Sequence, residues 1–272
     1  MANTTLVPGA TATQGIKVTQ ARVARSEWIK LRSLRSTVYT LAASVAITVG
    51  IGLLLAGIAL PHLDAGHGLG SLDPATISLY GVYPAQLTIG VLGVLLVTGE
   101  YATGLIRATL SAVPRRLPVL WAKLGVFAVV AAVTSETALF VTFLAGQAIL
   151  SAKHAGASLS DPGVLRAVTG AGLYLTVVGL LAMALGFIVR NTAGAMAMLF
   201  SIVLVLPVLG DVPPADWATH IAPYLPSNAG QAVMQLRPAL NTLAPWTGFA
   251  LFAGYTAVAI AVAAVVLKRR DA

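Results

Sequence analysis

Residues Gly99 to Lys123 read GEYATGLIRATLSAVPRRLPVLWAK and separate two long apolar runs of the chain. The charged side chains of this stretch are one carboxylate and four basic groups: Glu100, Arg107, Arg115, Arg116 and Lys123. No other substantial polar interruption between long apolar runs carries such dense positive charge. Because Lys and Arg accumulate in the cytoplasmic loops of membrane proteins, we interpret residues 99–123 as a cytoplasmic loop between two membrane helices.

The composition argues against a water-soluble fold. Of the 272 residues, 57% are hydrophobic and 10% are charged, whereas soluble domains carry about 25% charged residues. The mean hydropathy of +0.86 agrees with this interpretation. We assign the formal net charge of +8 to membrane topology and contact with anionic lipid, and we expect no nucleic-acid partner. The absence of cysteine excludes disulfides and thiolate-bound metals.

The N-terminal region divides into a tail and a basic segment. Residues 1–17 are mostly small and polar, and we expect a disordered cytoplasmic tail. Residues 18–36 read VTQARVARSEWIKLRSLRS and predict an amphipathic helix in the membrane interface, with an apolar side formed by Ala21, Ala24, Trp28, Leu31 and Leu34. The residues expected to act at this interface are Arg22, Arg25, Trp28, Lys30, Leu31 and Arg32. Ile29 and Arg35 break the pattern, so a solvated basic flank that orients the next helix is the alternative.

Six apolar runs predict an all-α, polytopic membrane bundle in one domain over residues 18–267. The predicted spans are residues 38–60, 77–98, 124–150, 167–189, 193–209 and 246–267. Between the last two, residues 210–243 contain five prolines and the apolar residues Trp217, Tyr224 and Leu225, and we expect short helices at the outer interface. Residues 268–272 form a predicted cytoplasmic tail. Small residues such as Ala193 and Ala197, or Gly172 and Gly179, are expected to permit close helix packing.

The distribution of basic residues predicts the orientation of this bundle. With both termini in the cytoplasm, fourteen of the 17 Lys and Arg residues lie inside and three lie outside. This asymmetry favours a multi-pass protein with both termini cytoplasmic. Neither half of the chain resembles the other in charge placement or loop length, which argues against an inverted-repeat transporter.

Signatures of enzymes and bound cofactors are missing from the sequence. The phosphate-binding loop G-x-x-x-x-G-K-[ST], the zinc motif H-E-x-x-H and the nucleophile motif G-x-S-x-G are all absent. We therefore expect no catalytic residue and no ATP bound by that loop. His62 and His67 share a loop with Asp64 and Asp73, but their spacing matches no standard metal site, and we predict no metal.

Around residues 99–123 the sequence resembles the first cytoplasmic loop of ABC export permeases of the second type. The pattern is Glu100 at the end of a span, then Tyr101, Gly104, a short amphipathic piece, Pro114-Arg115-Arg116, and Lys123 at the start of the next span. The upstream RSEWIKLRSLRSTVYTLAA, residues 25–43, is similar to the N-terminal segment of actinobacterial members. The combination of order, spacing and residues carries this resemblance across most of the chain, since no single motif in it is highly specific.

The resemblance implies a function and partners. Two permease chains, identical or different, pair in the bacterial plasma membrane with two ABC ATPase subunits, which bind the ATP and magnesium. The loop would form a coupling helix that docks on the ATPase. On the resemblance, the coupling residues are Glu100, Tyr101, Gly104, Leu105, Ile106, Arg107, Leu110, Pro114, Arg115 and Arg116. Alternatively, Arg115, Arg116 and Lys123 only enforce topology and contact lipid phosphate.

Two carboxylates have open roles. Glu100 is expected either to pair with Arg32, Arg35 or another basic residue of the 18–36 segment, or to remain solvated. Glu136 is the ionisable residue deep in a predicted span and should face protein or a water-filled cavity. It is either a candidate pathway residue for a cation or proton, or a helix contact near Thr134, Ser135 and Thr137. An ion-coupled secondary transporter that uses Glu136 is the alternative function, and a non-transporting anchor or sensor is a third.

Overall fold

The computed structural model describes residues 19–65, 73–112, 116–210, 220–236 and 242–269. These residues form helices and no strand, which confirms the all-α prediction. The α-helices are α1 Gln20–Ser33, α2 Arg35–Ala59, α3 Pro74–Leu79, α4 Val82–Ala102, α5 Leu105–Ala112, α6 Leu117–Leu150, α7 Val164–Val189, α8 Thr192–Phe200, α9 Leu206–Gly210, α10 Pro226–Gln231 and α11 Pro245–Arg269. A π-helical stretch, Ser201–Val205, joins α8 to α9. Both predicted tails lie outside the described residues, apart from the first two residues of the C-terminal one.

Among the described residues, five helical segments are long and apolar enough to cross a membrane, which confirms a multi-pass membrane protein in outline. They are Arg35–His62, Pro74–Ala102, Leu117–Lys153, Val164–Val189 and Pro245–Arg269. The remaining predicted span, residues 193–209, corresponds to the shorter apolar helix Thr192–Val208. Whether this segment is a sixth span stays a prediction.

The boundaries next to residues 99–123 differ from the predicted ones. Helix α4 continues to Ala102 instead of ending at residue 98, and α6 begins at Leu117 instead of residue 124. Pro118 fits the first turn of α6, where a backbone donor is not needed. After α4, Gly104 adopts a positive φ of 72°, which glycine tolerates without steric cost. The predicted loop is thus shorter, and α5 lies in its middle.

Helix α7 lies at the centre of the bundle and packs against α4, α6 and α11. A Cβ added at Gly93 of α4 would collide with the carbonyl oxygen of Gly179 in α7, so these helices approach closely. The packing role predicted for Gly172 and Gly179 agrees with their contacts. The same prediction is wrong within this chain for Ala193 and Ala197, which are exposed.

Helix α1 packs against α6. The buried residues of α1 are Val23, Glu27 and Leu31, which follow one another at four-residue spacing. Trp28 is 46% exposed and Leu34 is 50% exposed, so both point away from the bundle. Leu31 of the predicted apolar side is thus buried in the bundle beside Glu27, whereas Trp28 and Leu34 remain on its outside. The position of α1 in a membrane interface stays a prediction.

Residues 220–236 contain short helices, as predicted for this connection. Ser227, Ala229 and Val233 are buried where the connection packs against α11 and α7. The Arg166 guanidinium of α7 donates hydrogen bonds to the carbonyl oxygens of Val233 at 2.8 Å and Gln235 at 3.0 Å. The connection is therefore fixed to the bundle and not merely adjacent to it.

Helix ends from distant parts of the chain meet at one end of the bundle. Contacts between Arg116 and Leu267, between Arg190 and Tyr101, and between α1 and α6 bring these ends together. We call this region the basic end. The described Lys and Arg residues in its helices and turns are Arg22, Arg25, Lys30, Arg32, Arg35, Arg107, Arg116, Lys123, Arg190, Lys268 and Arg269.

Candidate functional site

Four charged side chains from three helices form one cluster at the basic end. They are Glu27 and Lys30 of α1, Glu100 of α4 and Lys123 of α6, and we call them the charge cluster. Lys123 Nζ lies 2.6 Å from Glu27 Oε2 and 2.8 Å from Glu100 Oε1. Lys30 Nζ lies 2.8 Å from Glu27 Oε1 and 3.2 Å from Glu100 Oε1. Each ammonium group therefore bridges both carboxylates, and the formal charges cancel.

The local structure of each helix explains this convergence. Glu27 and Lys30 are three residues apart on α1 and so share one side of the helix. Glu100 lies in the last turn of α4, and Lys123 lies in the second turn of α6. The side chains of Glu27 and Lys123 are only 4% and 7% exposed. An unpaired charge at such depth costs several kcal/mol, so the four groups stabilise one another's charged forms.

The pKa values of the α1 pair reflect this pairing. Burial alone would raise the pKa of Glu27, but Lys123 and then Lys30 outweigh it, so the pKa falls below its ordinary value of 4.5. Burial alone would lower the pKa of Lys30, but Glu27 and Glu100 hold it above its ordinary value of 10.5. Both groups are therefore charged across the physiological pH range.

The structure resolves the predicted pairing of Glu100. Its partners are Lys30, a basic residue of α1, and Lys123. Arg32 and Arg35 are exposed and do not appear among these contacts, and the alternative of a solvated Glu100 is wrong. The second carboxylate oxygen of Glu100, Oε2, is buried and has no hydrogen-bond partner among the described residues.

The sequence did not lead us to predict a role for Glu27. It placed Lys123 only at the start of the next span or among the residues that enforce topology. A signal was present, because Glu27 is the single acidic residue between residues 18 and 36. It also lies four residues from both Val23 and Leu31, so a helix places it on the same side as two apolar residues. A lone carboxylate on an apolar side requires a cationic partner, and here Lys30 of the same helix and Lys123 of α6 supply it.

Helix α5 has one side turned toward the bundle and one side exposed. Ile106 is 2% exposed and packs inward, and Thr109 Oγ1 accepts a hydrogen bond from Lys30 Nζ at 3.3 Å. Leu105 is 56% exposed, and Arg107 and Ala108 are also exposed. Among the predicted coupling residues, Pro114, Arg115 and the side chain of Leu110 lie outside the described part of the chain.

A second group of contacts fixes the end of α11 at the basic end. Arg116 Nη1 donates to the carbonyl oxygen of Leu267 at 3.2 Å, and Arg190 Nη2 donates to that of Val266 at 3.5 Å. The Arg190 guanidinium also lies 5.2 Å from the centre of the Tyr101 ring. Positive groups at the carboxyl end of a helix are favourable because they complement the helix dipole. Two predicted coupling residues, Tyr101 and Arg116, thus belong to the internal packing of the bundle.

The residues predicted to form the interfacial side of α1 divide into two groups. Leu31 is buried against the bundle and Lys30 belongs to the charge cluster. The exposed group comprises Arg22, Arg25, Trp28 and Arg32. A helix with three exposed arginines and an exposed Trp presents the composition of a lipid-facing surface.

Glu136 lies on the side of α6 that faces α7, which agrees with its predicted contact with protein. A Cβ added at Gly172 would overlap the Glu136 carboxyl group, so the glycine makes room for the carboxylate. Glu136 Oε2 is buried and has no hydrogen-bond partner among the described residues. The neighbouring Thr134 donates to Val130 O at 2.7 Å and so does not contact the carboxylate through this bond.

Within the described residues, no three His, Asp or Glu side chains come together in a geometry that could hold a metal ion. His67 and the side chain of Asp64 lie outside these residues, so the prediction for their loop stays untested. No protein-family model matches the chain, and no curated protein matches its sequence. The relation to ABC permeases therefore remains a prediction from the residues quoted above.

Proposed function

We propose that this chain is the permease subunit of an ATP-driven ABC exporter in the bacterial plasma membrane. The observation that carries this proposal is the placement of α5. It lies between two helices long enough to span a membrane, it is anchored by Ile106 and Thr109, and it leaves Leu105 and Arg107 exposed. A short amphipathic helix held in this way fits a surface on which a separate ATPase subunit docks. ATP and magnesium belong to that subunit.

The charge cluster supports a route for coupling in this proposal. A displacement of α5 would act on Lys30 through Thr109, and Lys30 contacts carboxylates of both α1 and α4. Lys123 joins the same two carboxylates to α6. Because separating buried opposite charges is costly, these helices would move together as a rigid body.

The proposal includes six crossings with both termini in the cytoplasm. Thr192 Oγ1 donates to Thr98 Oγ1 at 2.8 Å near the basic end, and Leu199 lies beside Gly90, farther along α4. The following π-helical stretch contacts α10. This course supports a sixth crossing by Thr192–Gly210, and the basic residues favour a cytoplasmic basic end. Helices α2 and α11, which are less enclosed than α7, would pack against a second permease chain or lipid.

A pull-down from native membranes in mild detergent, followed by mass spectrometry, tests the proposal. The unmodified chain should retain a soluble ATPase in stoichiometric amounts. The combined change Leu105→Asp and Arg107→Glu should abolish retention, because it reverses the character of the exposed side of α5 and leaves buried Ile106 intact. The matched control is Arg35→Glu, an exposed charge reversal at the same end. Absence of any ATPase from the intact, membrane-extracted chain would refute the proposal.

A second candidate function, ion-coupled transport, is favoured by one observation. Glu136 places a buried carboxylate oxygen without a described partner in a helix long enough to span the membrane. This carboxylate would bind and release a proton. Liposomes that contain the purified chain alone should then dissipate an imposed pH gradient, and Glu136→Gln should remove that activity. An equal rate for both chains would reject this alternative.

A further inference from the structure

A cavity of about 450 Å³ lies at the opposite end of the bundle from the charge cluster. Such a volume suits a small molecule. One wall is formed by α3 and the start of α4, and its lining residues include Asp73, Thr76, Tyr80 and Tyr83. Their spacing of three, four and three residues places them along one side of the helical segment Pro74–Ala102. The facing wall belongs to the 220–236 connection and includes Gln231, Met234 and Gln235.

Hydrogen bonds from the rest of the bundle hold both walls of this cavity in place. On one side, the Gln147 amide of α6 donates to the carbonyl oxygen of Pro74 at 2.9 Å. On the other side, the Arg166 guanidinium of α7 donates to the carbonyl oxygen of Gln235 at 3.0 Å. The cavity is therefore part of the fold, and a ligand would not have to order its walls on binding.

Asp73 is the only charged side chain among the described residues that line this cavity. Its Oδ1 accepts a hydrogen bond from the backbone N–H of Ala75 at 3.0 Å, so this oxygen caps α3. No Lys, Arg or His among the described residues forms an ion pair with Asp73, in contrast to the carboxylates of the charge cluster. The cavity therefore presents an uncompensated negative charge, which favours a cation over an anion. A positively charged donor fits a carboxylate best.

An aromatic pair lines the same wall farther along the chain. The ring centres of Tyr80 and Tyr83 lie 5.5 Å apart with their planes inclined by 39°, and Tyr83 is 45% exposed. Such rings pack well against a further aromatic group. Asp73 lies seven residues before Tyr80 and ten before Tyr83, which corresponds to about 10 to 15 Å along a helix. The carboxylate and the aromatic pair are thus placed to contact different parts of one elongated molecule.

We propose that this cavity binds an elongated organic cation in which an ammonium group is joined by a short chain to an aromatic body. The ammonium group pairs with the Asp73 carboxylate, and the aromatic body packs against Tyr80 and Tyr83. A bare metal ion would leave the aromatic pair unused, and an anion would meet the charge of Asp73. Binding requires neither an ATPase nor transport, so failure of this site and failure of the proposed exporter function are distinguishable.

Three probes of similar shape and different charge test the proposal on the purified full chain in a nonionic detergent. At neutral pH, 4-phenylbutylamine is a cation, 4-phenylbutanol is uncharged and 4-phenylbutanoate is an anion. Isothermal titration calorimetry measures each Kd, with the titration into detergent alone subtracted. A charge-assisted hydrogen bond to a carboxylate should favour the amine about tenfold over the alcohol. Equal affinity for the amine and the alcohol, preference for the anion, or no saturable binding of the amine would overturn the proposal.

Removal of the Asp73 charge locates the cation. Asp73→Asn keeps α3 capped, because Asn and Asp cap helices about equally well, and it should make the amine and the alcohol bind alike. Asp161→Asn is the matched control. Asp161 is an exposed carboxylate before α7 that also accepts a backbone hydrogen bond, from Ser158 N–H at 2.8 Å, but it does not line the cavity. A preference for the amine that survives Asp73→Asn, or that both variants lose equally, would place the cation elsewhere and overturn the proposal.

Truncation of the aromatic pair locates the body of the ligand. Tyr83→Ala should weaken the amine and the alcohol by a similar factor, because it removes a ring that both probes contact. Tyr39→Ala is the control, since Tyr39 is 70% exposed on α2 and does not line the cavity. Unchanged affinities in Tyr83→Ala would refute the assigned position of the aromatic body.

Discussion

The ammonium group of Lys123 lies 2.6 Å from a carboxylate oxygen of Glu27, although 96 positions separate the two residues. This contact attaches α1 to α6 in the interior of the basic end. A helix that served only as a basic topological flank would have no reason to bury its single carboxylate. The contact therefore makes α1 a structural part of the bundle, whatever its outer side touches.

Removal of Lys123 should destabilise the protein strongly. Lys123→Met leaves Glu27 and Glu100 to share Lys30, so one buried negative charge remains uncompensated, and we expect a loss of about 3 kcal/mol. Thermal unfolding of the purified protein in detergent measures this loss. Adding Glu27→Gln to Lys123→Met should restore part of the stability, because the excess charge is then gone. Arg25→Met, an exposed change on the same helix, should have little effect, and equal losses for both single variants would contradict the pairing.

The stability of the protein should depend on pH in two separate windows. The folded pKa of Glu27 lies below its ordinary value of 4.5, so its contribution is complete above that pH and is lost as the pH falls through the folded pKa. The folded pKa of Lys30 lies above 10.5, so its contribution is complete below that pH and is lost as the pH rises through the folded pKa.

A pH series of unfolding temperatures in detergent checks this dependence. We expect a plateau at neutral pH, with losses toward both extremes. Glu27→Gln should lower the plateau and flatten the acidic decline, because its carboxylate no longer titrates. An acidic decline of unchanged depth in Glu27→Gln would show that other carboxylates control the acid limit.

Enlargement of Gly172 should disrupt the contact between α6 and α7. A Cβ at this position would overlap the Glu136 carboxyl group, which is the end of a flexible side chain and can shift, so we expect a cost of about 1 kcal/mol, the low end for overpacking in a core. We expect Gly172→Ala to lower the unfolding temperature and Glu136→Ala to recover much of that loss by making room. Gly57→Ala serves as the control, since no atom lies within 4 Å of its added Cβ. If both glycine variants behave alike, Glu136 does not occupy the space beside Gly172.

The two neighbouring aliphatic residues of α5 should respond differently to truncation. Ile106 is 2% exposed and Leu105 is 56% exposed. Ile106→Ala should cost about 2 kcal/mol or more, because it creates a cavity, whereas Leu105→Ala should change the free energy of unfolding by about 0.5 kcal/mol or less. Detergent unfolding curves distinguish the two cases. A larger loss for Leu105→Ala would mean that α5 is rotated relative to the bundle.

The apolar runs were sufficient to predict the long helices. The predicted helix ends were wrong where a charged residue interrupts the apolar run. Hydropathy stops at Glu100 and at Lys123, yet α4 continues past the first and α6 begins six residues before the second. Each charge can stay in a helix because opposite charges neutralise it: Lys30 and Lys123 neutralise Glu100, and Glu27 and Glu100 neutralise Lys123. Such compensation is a tertiary feature, so no local window of sequence contains it.

The side of α1 that faces the bundle was not predicted. It contains Val23, Glu27 and Leu31, and the cations that neutralise Glu27 lie on α1 itself and on the distant α6. The short helix in the loop was predicted, and its orientation was not, because Ile106 and Leu105 are equally apolar in sequence. Only the packed structure distinguishes the anchored residue from the exposed one.

The hydrogen bonds from Arg116 and Arg190 to the end of α11 have a consequence for biosynthesis. Both arginines are translated well before Val266 and Leu267, whose carbonyl oxygens accept these bonds. A nascent chain from which Val266 and Leu267 have not yet emerged therefore carries an unfinished basic end, even after α4, α6 and α7 have been inserted. Arrival of α11 joins the start of α6 to the turn after α7, so maturation of this end is a late step of insertion.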